Sequence, residues 1–569
     1  MSAGVDTEVA AGRAGDQAAG SGRVDPVFAQ VTAAGSPFEI GERDGVRTFV
    51  RAPADLAQLL ESARQFGDAT MIVDFDGPHG ERRLTYDDVF AWRDRLIGHL
   101  GIARGDRVAI CMRNRAEWMV AFLAIVRAGG VAVVLNSRGS PAELAAMIGD
   151  VSPVLVLADT ERAVAVRDGG FAGGVIDLTQ PLEDNGRSVD AIAPAKPGDA
   201  CAILFTSGTT GRAKGAVLSH RSLITGLLGT QLTGAMVLQG MALQYGVPVE
   251  TIMAQVPPQA ILQVYPLFHI SGLGSAFLAP MLSGGKIVTM RRWDAAEAVR
   301  LIEREKVTQL STVPTMLWDM VHKAHLAEAD LSSLRNIGSG GQALPLNLLE
   351  EVRRLCPHSL LGTGYGMTET SGAIAQAVGE DFLQARASAG RVLPLVDMRI
   401  LRPDGSLCET GESGEITVRS AMVMSGYWNR PEETAAALTP DGWLRTGDIG
   451  FQDEGGYITI VDRSKDMVIS GGENIYCAEV ERVLSELPEV RECATFGIAD
   501  ERMGELLVAV LHADGLEEHA VREWVAERLA RYKAPAKVAF SPGPLPRNHS
   551  QKIDKIALRA LWPQLVAHN

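Results

Sequence analysis

Short, fully apolar runs recur early in the chain with helical stretches between them, and that alternation narrows the fold more than any other feature. VAICM at 108–112, VAVVL at 131–135 and the run 154–159 read as buried strands. Between them, 116–128 and 141–149 carry the apolar spacing of helices. Strands apolar on both faces and separated by helices pair in parallel, because a crossover connection is needed to bring the chain back to the same end of a sheet. A connector with Pro194, Pro197 and Gly198 leads into a further strand at 202–206, and similar units run from 262 to about 374. The expected fold is α/β, a large N-terminal domain of doubly wound mixed sheets.

Beyond 387 the pattern changes to Gly-punctuated strands, with turns expected at Asp404-Gly405, Gly411 and Gly414. A final α+β unit reads as helix 479–487, strands 491–498 and 505–512, and an amphipathic helix 517–530 with Val521, Trp524, Val525 and Leu529 on one face. The expected organisation is a disordered tail at 1–35, a large domain at 36–464 containing a β subdomain at about 388–464, and a C-terminal domain at 465–569. The tail is rich in Gly and Ala and has no apolar core of a secretory signal. The longest apolar stretch elsewhere, 118–126, is nine residues, against the ~20 needed to cross a bilayer. No transmembrane segment and a cytoplasmic location are therefore expected. A net charge of −15 disfavours nucleic acid as a partner. Six scattered cysteines without a CxxC pair argue against disulfides and structural zinc.

The segment TSGTTGRAKG, directly after the strand at 202–206, is the most informative for chemistry. Thr206, Ser207, Thr209 and Thr210 supply hydroxyls, Gly208, Gly211 and Gly215 allow close backbone approach, and Lys214 adds an ammonium. Such a loop suits polyanionic phosphate. It is not a Walker A loop, because Lys214 follows Ala213 and precedes Gly215.

TSGTTGRAKG resembles the phosphate-binding signature of the adenylate-forming superfamily, which includes acyl- and aryl-CoA synthetases, nonribosomal adenylation domains and beetle luciferases. Further resemblances follow in the family's order: GYGMTET from Gly364, GWLRTGDIG from Gly442, DRSKDMVISGGENIYCAEVE from Asp462 and PRNHSQKIDK from Pro546. The resemblance implies a two-step reaction using ATP, Mg²⁺ and coenzyme A. A carboxylate attacks the α-phosphate, and a thiol then displaces AMP from the acyl-adenylate. Because the first step brings two anions together, the protein must supply positive charge and geometry.

By the same resemblance, Lys552 contacts the carboxylate and the α-phosphate region. The family has Gly immediately before this lysine, and here Gln551 stands there. Glu369 is implied as the Mg²⁺ ligand, Thr368 as a phosphate contact and Tyr365, between Gly364 and Gly366, as the adenine stack. Gly340 and Gly341 match the segment lining the purine and acyl pockets. Asp448, assisted by Arg463, is implied to bind ribose. Lys465 is the implied hinge of a mobile C-terminal domain, and Gly471 and Gly472 flank the implied pantetheine tunnel of CoA.

On the acyl side, YPLFHISGLG places His269 where amino-acid-activating relatives carry an Asp, so an α-amino acid is disfavoured. A second reading keeps His269 as a satisfied histidine at a strand end. His322 and His325 are not at metal spacing and read as surface residues. The segment 226–262 contains Leu228, Leu232, Val237 and Met241; it reads either as the lining of an extended acyl tunnel or as added core helices or a dimer contact. The expected activity is carboxylic acid–CoA ligation, AMP-forming, on a fatty, alicyclic or aryl acid. The alternatives are a ligase that loads a separate carrier protein and a nucleotide-binding pseudoenzyme. A homodimer is compatible with the sequence.

Overall fold

The structure, a computed structural model, describes residues 26–77, 80–182, 194–206, 213–324, 326–340, 344, 346–463, 467–470, 473–548 and 552–568. The three early apolar runs form the strands Arg107–Cys111, Val131–Val134 and Leu155–Ala158. They pair in parallel, with Val108 opposite both Ala132 and Leu155. The helices between them are Ala116–Arg127 and Pro141–Val151. The second starts with Pro at its first position and a Ser140–Glu143 capping box, which satisfies two otherwise unpaired N–H groups.

Among the described residues, these strands belong to a seven-stranded sheet in the order Gly426–Tyr427, Lys214–Ser219, Ala200–Thr206, Val131–Val134, Arg107–Cys111, Leu155–Ala158, Gly174–Asp177. A nine-stranded sheet runs Arg391–Val392, Gly372–Val378, Leu360–Met367, Asn336–Gly340, Gln309–Thr312, Ala260–Gln263, Lys286–Thr289, Thr70–Gly77, Gly80–Thr85. Both are mixed: the nine-stranded sheet has a parallel centre with antiparallel edges, and the seven-stranded sheet is parallel from Ala200–Thr206 to Gly174–Asp177 and antiparallel at its other edge. Helix Ala116–Arg127 is buried along nearly its whole length. A helix apolar on all sides belongs inside a core. Its Trp118 and Phe122 rings pack with Phe277, each 6.5 Å away between centroids, on a segment of wide turns at Ser271–Leu278.

A four-stranded antiparallel sheet (Asp397–Leu401, Gly414–Arg419, Leu444–Gln452, Ile458–Arg463) follows. Among the described residues, the C-terminal unit has a five-stranded sheet in which Gly504–Ala513 pairs with Val490–Asp500, Val468–Ser470 and Lys537–Phe540. Helix Cys477–Leu484 packs on it, and helix Glu518–Arg528 buries Val521 and Val525.

Two expectations need amendment, in the tail and at Gly414. Within the expected tail, Pro26–Val31 is a helix whose Gln30 side chain accepts a hydrogen bond from Gln239 (3.1 Å), because Val31 and Phe38 have apolar core to cover. Residues 1–25 lie outside the described residues. Gly414 opens a strand, where a Cβ would lie 2.5 Å from the Leu401 carbonyl oxygen. The segment 226–262 holds residues 226–245 of the 26-residue helix His220–Tyr245, then the helix Val249–Met253 and the start of the strand Ala260–Gln263. Leu223, Leu227, Leu228 and Leu232 anchor the long helix in the core.

Candidate active site

The parallel strands Asn336–Gly340 and Leu360–Met367 end side by side, with Gly340 opposite Gly364. At Gly366 a Cβ would lie 2.1 Å from the Gly372 carbonyl oxygen, so only glycine lets the returning strand come so close. That approach aims Tyr365 across the cleft, where its hydroxyl donates to the buried Asp448 carboxylate at 2.7 Å. Asp448 sits opposite Arg463 in the four-stranded sheet, so two sheets meet at this bond.

Glu369 follows in the short turn Thr368–Thr370. Its backbone carbonyl accepts from the Met424 N–H, and the residue is only 8% exposed. The Tyr427 hydroxyl donates to Glu369 Oε1 at 2.8 Å. Tyr427 is an edge residue of the seven-stranded sheet, paired with Ala216, and Lys214 Nζ lies 5.2 Å from the centre of its ring. Burial, with the Glu369 carboxylate adding, pushes the Tyr427 phenol pKa well up, so it stays a proton donor. Lys214, Tyr427 and Glu369 thus form a chain from one sheet to the other.

His269 is held on a loop after strand Ala260–Gln263. Its ring lies 4.5 Å from that of Phe268, and its N–H donates to the Pro266 carbonyl. Burial pushes its imidazole down to about 4, with the Lys552 ammonium and Arg138 acting in the same direction. At neutral pH it is uncharged. Lys552 comes from the C-terminal unit in a turn closed by two Asn548 hydrogen bonds, one of them from the Lys552 N–H to Oδ1 at 3.1 Å. The turn is tied to strand Val490–Asp500 through the Arg547–Glu492 ion pair and a Leu545 N–H bond to Glu492.

One cavity is lined by Thr206, Lys214, His269, Gly340, Gly364, Tyr365, Gly366, Thr368, Glu369, Asp448 and Lys552. Thr206 and Lys214 face each other in antiparallel register, and both line this cavity. Ser207, Gly208, Thr209, Thr210, Gly211, Gly341, Lys465, Gly471 and Gly472 lie outside the described residues, as does His325. His322 pairs with Glu351 at 3.1 Å on the surface.

Sequence reasoning missed Tyr427, and it missed the buried amides of Asn114 and Gln263 that support the His269 loop. Tyr427 carries no local signal beyond an aromatic pair, Tyr427-Trp428, before Asn429-Arg430-Pro431.

The model for AMP-binding enzymes matches residues 59–428, and the AMP-binding enzyme C-terminal domain matches 479–552. The 3-[(3aS,4S,7aS)-7a-methyl-1,5-dioxo-octahydro-1H-inden-4-yl]propanoyl:CoA ligase of Rhodococcus jostii (strain RHA1) is 34% identical over 538 residues, covering 88% of this chain and 97% of that protein. The long-chain-fatty-acid–CoA ligase FadD13 of Mycobacterium tuberculosis is 34% identical over 503 residues, covering 86% and 95%. Among solved structures, o-succinylbenzoate CoA synthetase (MenE) of Bacillus subtilis with its acyl-adenylate intermediate OSB-AMP superposes with a TM-score of 0.73 at 30% identity, covering 88% and 97%. The same enzyme with ATP and magnesium ion gives 0.74 at 30% identity, covering 88% and 99%. With both units matched, and the likeness running through nearly the full length of these relatives, the chain belongs to the AMP-binding enzymes.

Proposed function

We propose that the protein is an ATP-dependent carboxylic acid–CoA ligase of the cytoplasm, acting on a fatty, alicyclic or aryl acid. The observation that carries this reading is the arrival of Lys552, from the C-terminal unit, in the cavity that holds His269, Glu369, Tyr365 and Asp448. The acid's oxygen bonds to the α-phosphorus and the bond to pyrophosphate breaks. The CoA thiol then loses its proton, its sulfur bonds to the acyl carbon, and AMP departs. Lys552 neutralises the carboxylate and α-phosphate as they approach, and Lys214 draws the outer phosphates to the loop at 207–212. Asp448, oriented by Tyr365, accepts from the ribose hydroxyls, and Arg463 assists.

Magnesium fits what is present. Among the described residues no group of three or more His, Cys, Asp or Glu could hold a metal. A single buried carboxylate in the cavity that Lys214 also lines is the oxygen donor a hard cation needs when substrate phosphates complete its shell. Glu369 would hold it, and the ion when bound supplies charge neutralisation at the phosphate oxygens. Tyr427 keeps the carboxylate turned toward the cavity.

The uncharged His269 offers no counter-charge to an α-ammonium group, which supports an acid without an amine. The names of the relatives support a fatty or alicyclic acid. The organisation we propose is a large unit at 36–464 and a C-terminal unit at 465–569 that turns about Lys465. In the alternate arrangement Lys552 withdraws and Gly471 and Gly472 flank the pantetheine. No helix among the described residues is long and apolar enough to cross a membrane, which supports the location. A pyrophosphate-release screen over aliphatic, alicyclic and aromatic acids, with and without CoA, tests the reading. AMP and acyl-CoA should form together with CoA present. Accumulation of adenylate indifferent to CoA would instead assign the acceptor to a carrier protein, and no pyrophosphate with any acid would refute the ligase.

A further inference from the structure

The loop that presents His269 is held from beneath by side chains that do not line the cavity. Asn114 lies just before helix Ala116–Arg127, on the seven-stranded side; Gln263 ends a strand of the nine-stranded sheet. Both are buried, Asn114 at 7% and Gln263 at 0% exposure. Asn114 Oδ1 accepts from the Leu267 N–H at 2.9 Å. Its Nδ2 donates to Gln263 Oε1 at 2.7 Å and to the Tyr265 carbonyl at 2.9 Å. Gln263 Nε2 donates to that same carbonyl at 2.6 Å.

The orientation of both amides follows from the partners. A backbone N–H can only donate, so the Asn114 atom facing Leu267 is the oxygen and the other is the nitrogen. That nitrogen must then meet Gln263 oxygen, which turns the Gln263 nitrogen to the Tyr265 carbonyl. Every partner is complementary, and no other setting of the two amides is.

The opposite side of the loop is closed as tightly. At Gly272 a Cβ would fall 2.1 Å from the Pro266 carbonyl oxygen, and that oxygen also accepts the His269 N–H. The Tyr265 hydroxyl bonds to the Thr312 carbonyl at 2.6 Å. Residues 265–269 are therefore caught between Asn114 below and the Ser271–Leu278 segment above, and they have one place to lie.

We infer that Asn114 is a positioning residue: its carboxamide sets the loop at 265–269 so that the acid's carboxylate is aligned, although Asn114 itself does not touch substrate. Without Asn114 the buried Leu267 N–H loses its acceptor, and the loop shifts to recover one. The wall of the acid site then moves while the nucleotide side, built on Tyr365 and Asp448, stays in place. The effect of losing Asn114 should fall on the acid and spare the nucleotide.

The inference rests on the ligase reading, and the two fail separately. Wild-type protein that forms no adenylate sinks the ligase; an active wild type with insensitive variants sinks only this assignment. Asn114→Ala should raise the KM for the acid about tenfold or more, the scale of one unsatisfied buried polar group, while the dissociation constant for AMP stays within twofold. Asn114→Asp keeps the shape but turns an acceptor toward two acceptors, so it should do no better than alanine. Gln263→Met removes only the supporting amide and should give a smaller rise of the same kind; it carries the test if either Asn114 variant fails to fold. Thr289→Val, which removes a buried hydroxyl bonded to Asp74 (3.2 Å), is the control for destabilisation alone and should lower Tm without changing the acid KM. An unchanged acid KM in the folded variants, full activity of Asn114→Asp, or a parallel loss of acid and AMP affinity would each overturn the assignment.

Discussion

Replacing Tyr427 with Phe isolates one hydrogen bond. The phenol donates to Glu369 Oε1 at 2.8 Å, while the ring lies 5.2 Å from Lys214 Nζ. Phe keeps the ring and removes only the hydroxyl. Glu369 is 8% exposed, so water has little room to replace the lost donor. A hydrogen bond to a charged group contributes about 1.5–3 kcal/mol, and each ~1.4 kcal/mol is a factor of ten. Tyr427→Phe should therefore lower kcat/KM for adenylate formation by about 10- to 150-fold. On the assignment of Glu369 to magnesium, the half-saturating magnesium concentration should rise as well, since the carboxylate is no longer held toward the cavity. Tyr427→Leu also removes the face presented to Lys214, worth a further ~0.5–1 kcal/mol, or about two- to fivefold. The assay is pyrophosphate release at saturating ATP and acid across a magnesium series, with AMP binding measured by calorimetry. Rates within twofold of wild type at every magnesium concentration would refute the reasoning, and so would an equal loss in AMP affinity.

Lys552→Ala should slow adenylate formation by roughly 3–4 kcal/mol, the usual cost of removing an electrostatic stabiliser, yet still convert preformed acyl-adenylate plus CoA; an equal fall in both half-reactions would exclude alternation of the C-terminal unit. His269 is held below its ordinary pKa by burial, so as pH falls from about 6.5 toward 4 the unfolded chain takes up the proton first and stability is lost. His269→Gln should flatten that part of the urea-midpoint profile between pH 7 and 5. His220, which burial also holds down and whose Nδ1 accepts the Leu56 N–H at 3.0 Å, contributes in the same direction. Thr233→Trp, on the cavity-lining side of helix His220–Tyr245, should abolish activity on long or bulky acids and spare short ones. Uniform rates along an acyl-length series in both proteins would remove the acyl-tunnel reading of 226–262.

Local pattern carried much of the architecture. The apolar runs expected at 108–112 and 131–135 are strands within one residue of those limits, because a strand buried on both faces must be apolar throughout. The helix expected at 479–487 is Cys477–Leu484, and the face expected to carry Val521 and Val525 is buried. Where local pattern fell short, packing against distant chain decided. The stretch at 26–31 follows a polar tail and looks unanchored until a helix beginning almost two hundred residues later, at His220, offers it a surface. Gly414 has the composition of a turn but sits in a strand, because the Leu401 backbone approaches too closely for any side chain.

The site divides in the same way. Motif residues such as Lys214, Tyr365, Glu369, Asp448 and Lys552 could be picked out along the chain, since each stands in a short motif that resembles one of the adenylate-forming superfamily. What these groups do to one another could not. Tyr365 bonds Asp448 across 83 residues, Tyr427 bonds Glu369 across 58, and Asn114 bonds Gln263 across 149. By itself the sequence determined the alternating α/β plan and the chemical inventory of the cleft, because both are written in runs of a few neighbouring residues. Only the tertiary structure decided which hydroxyl orients which carboxylate and which amides hold the acid-side loop. Those bonds form where separate sheets meet, between residues far apart in the chain, so no local run of sequence records them.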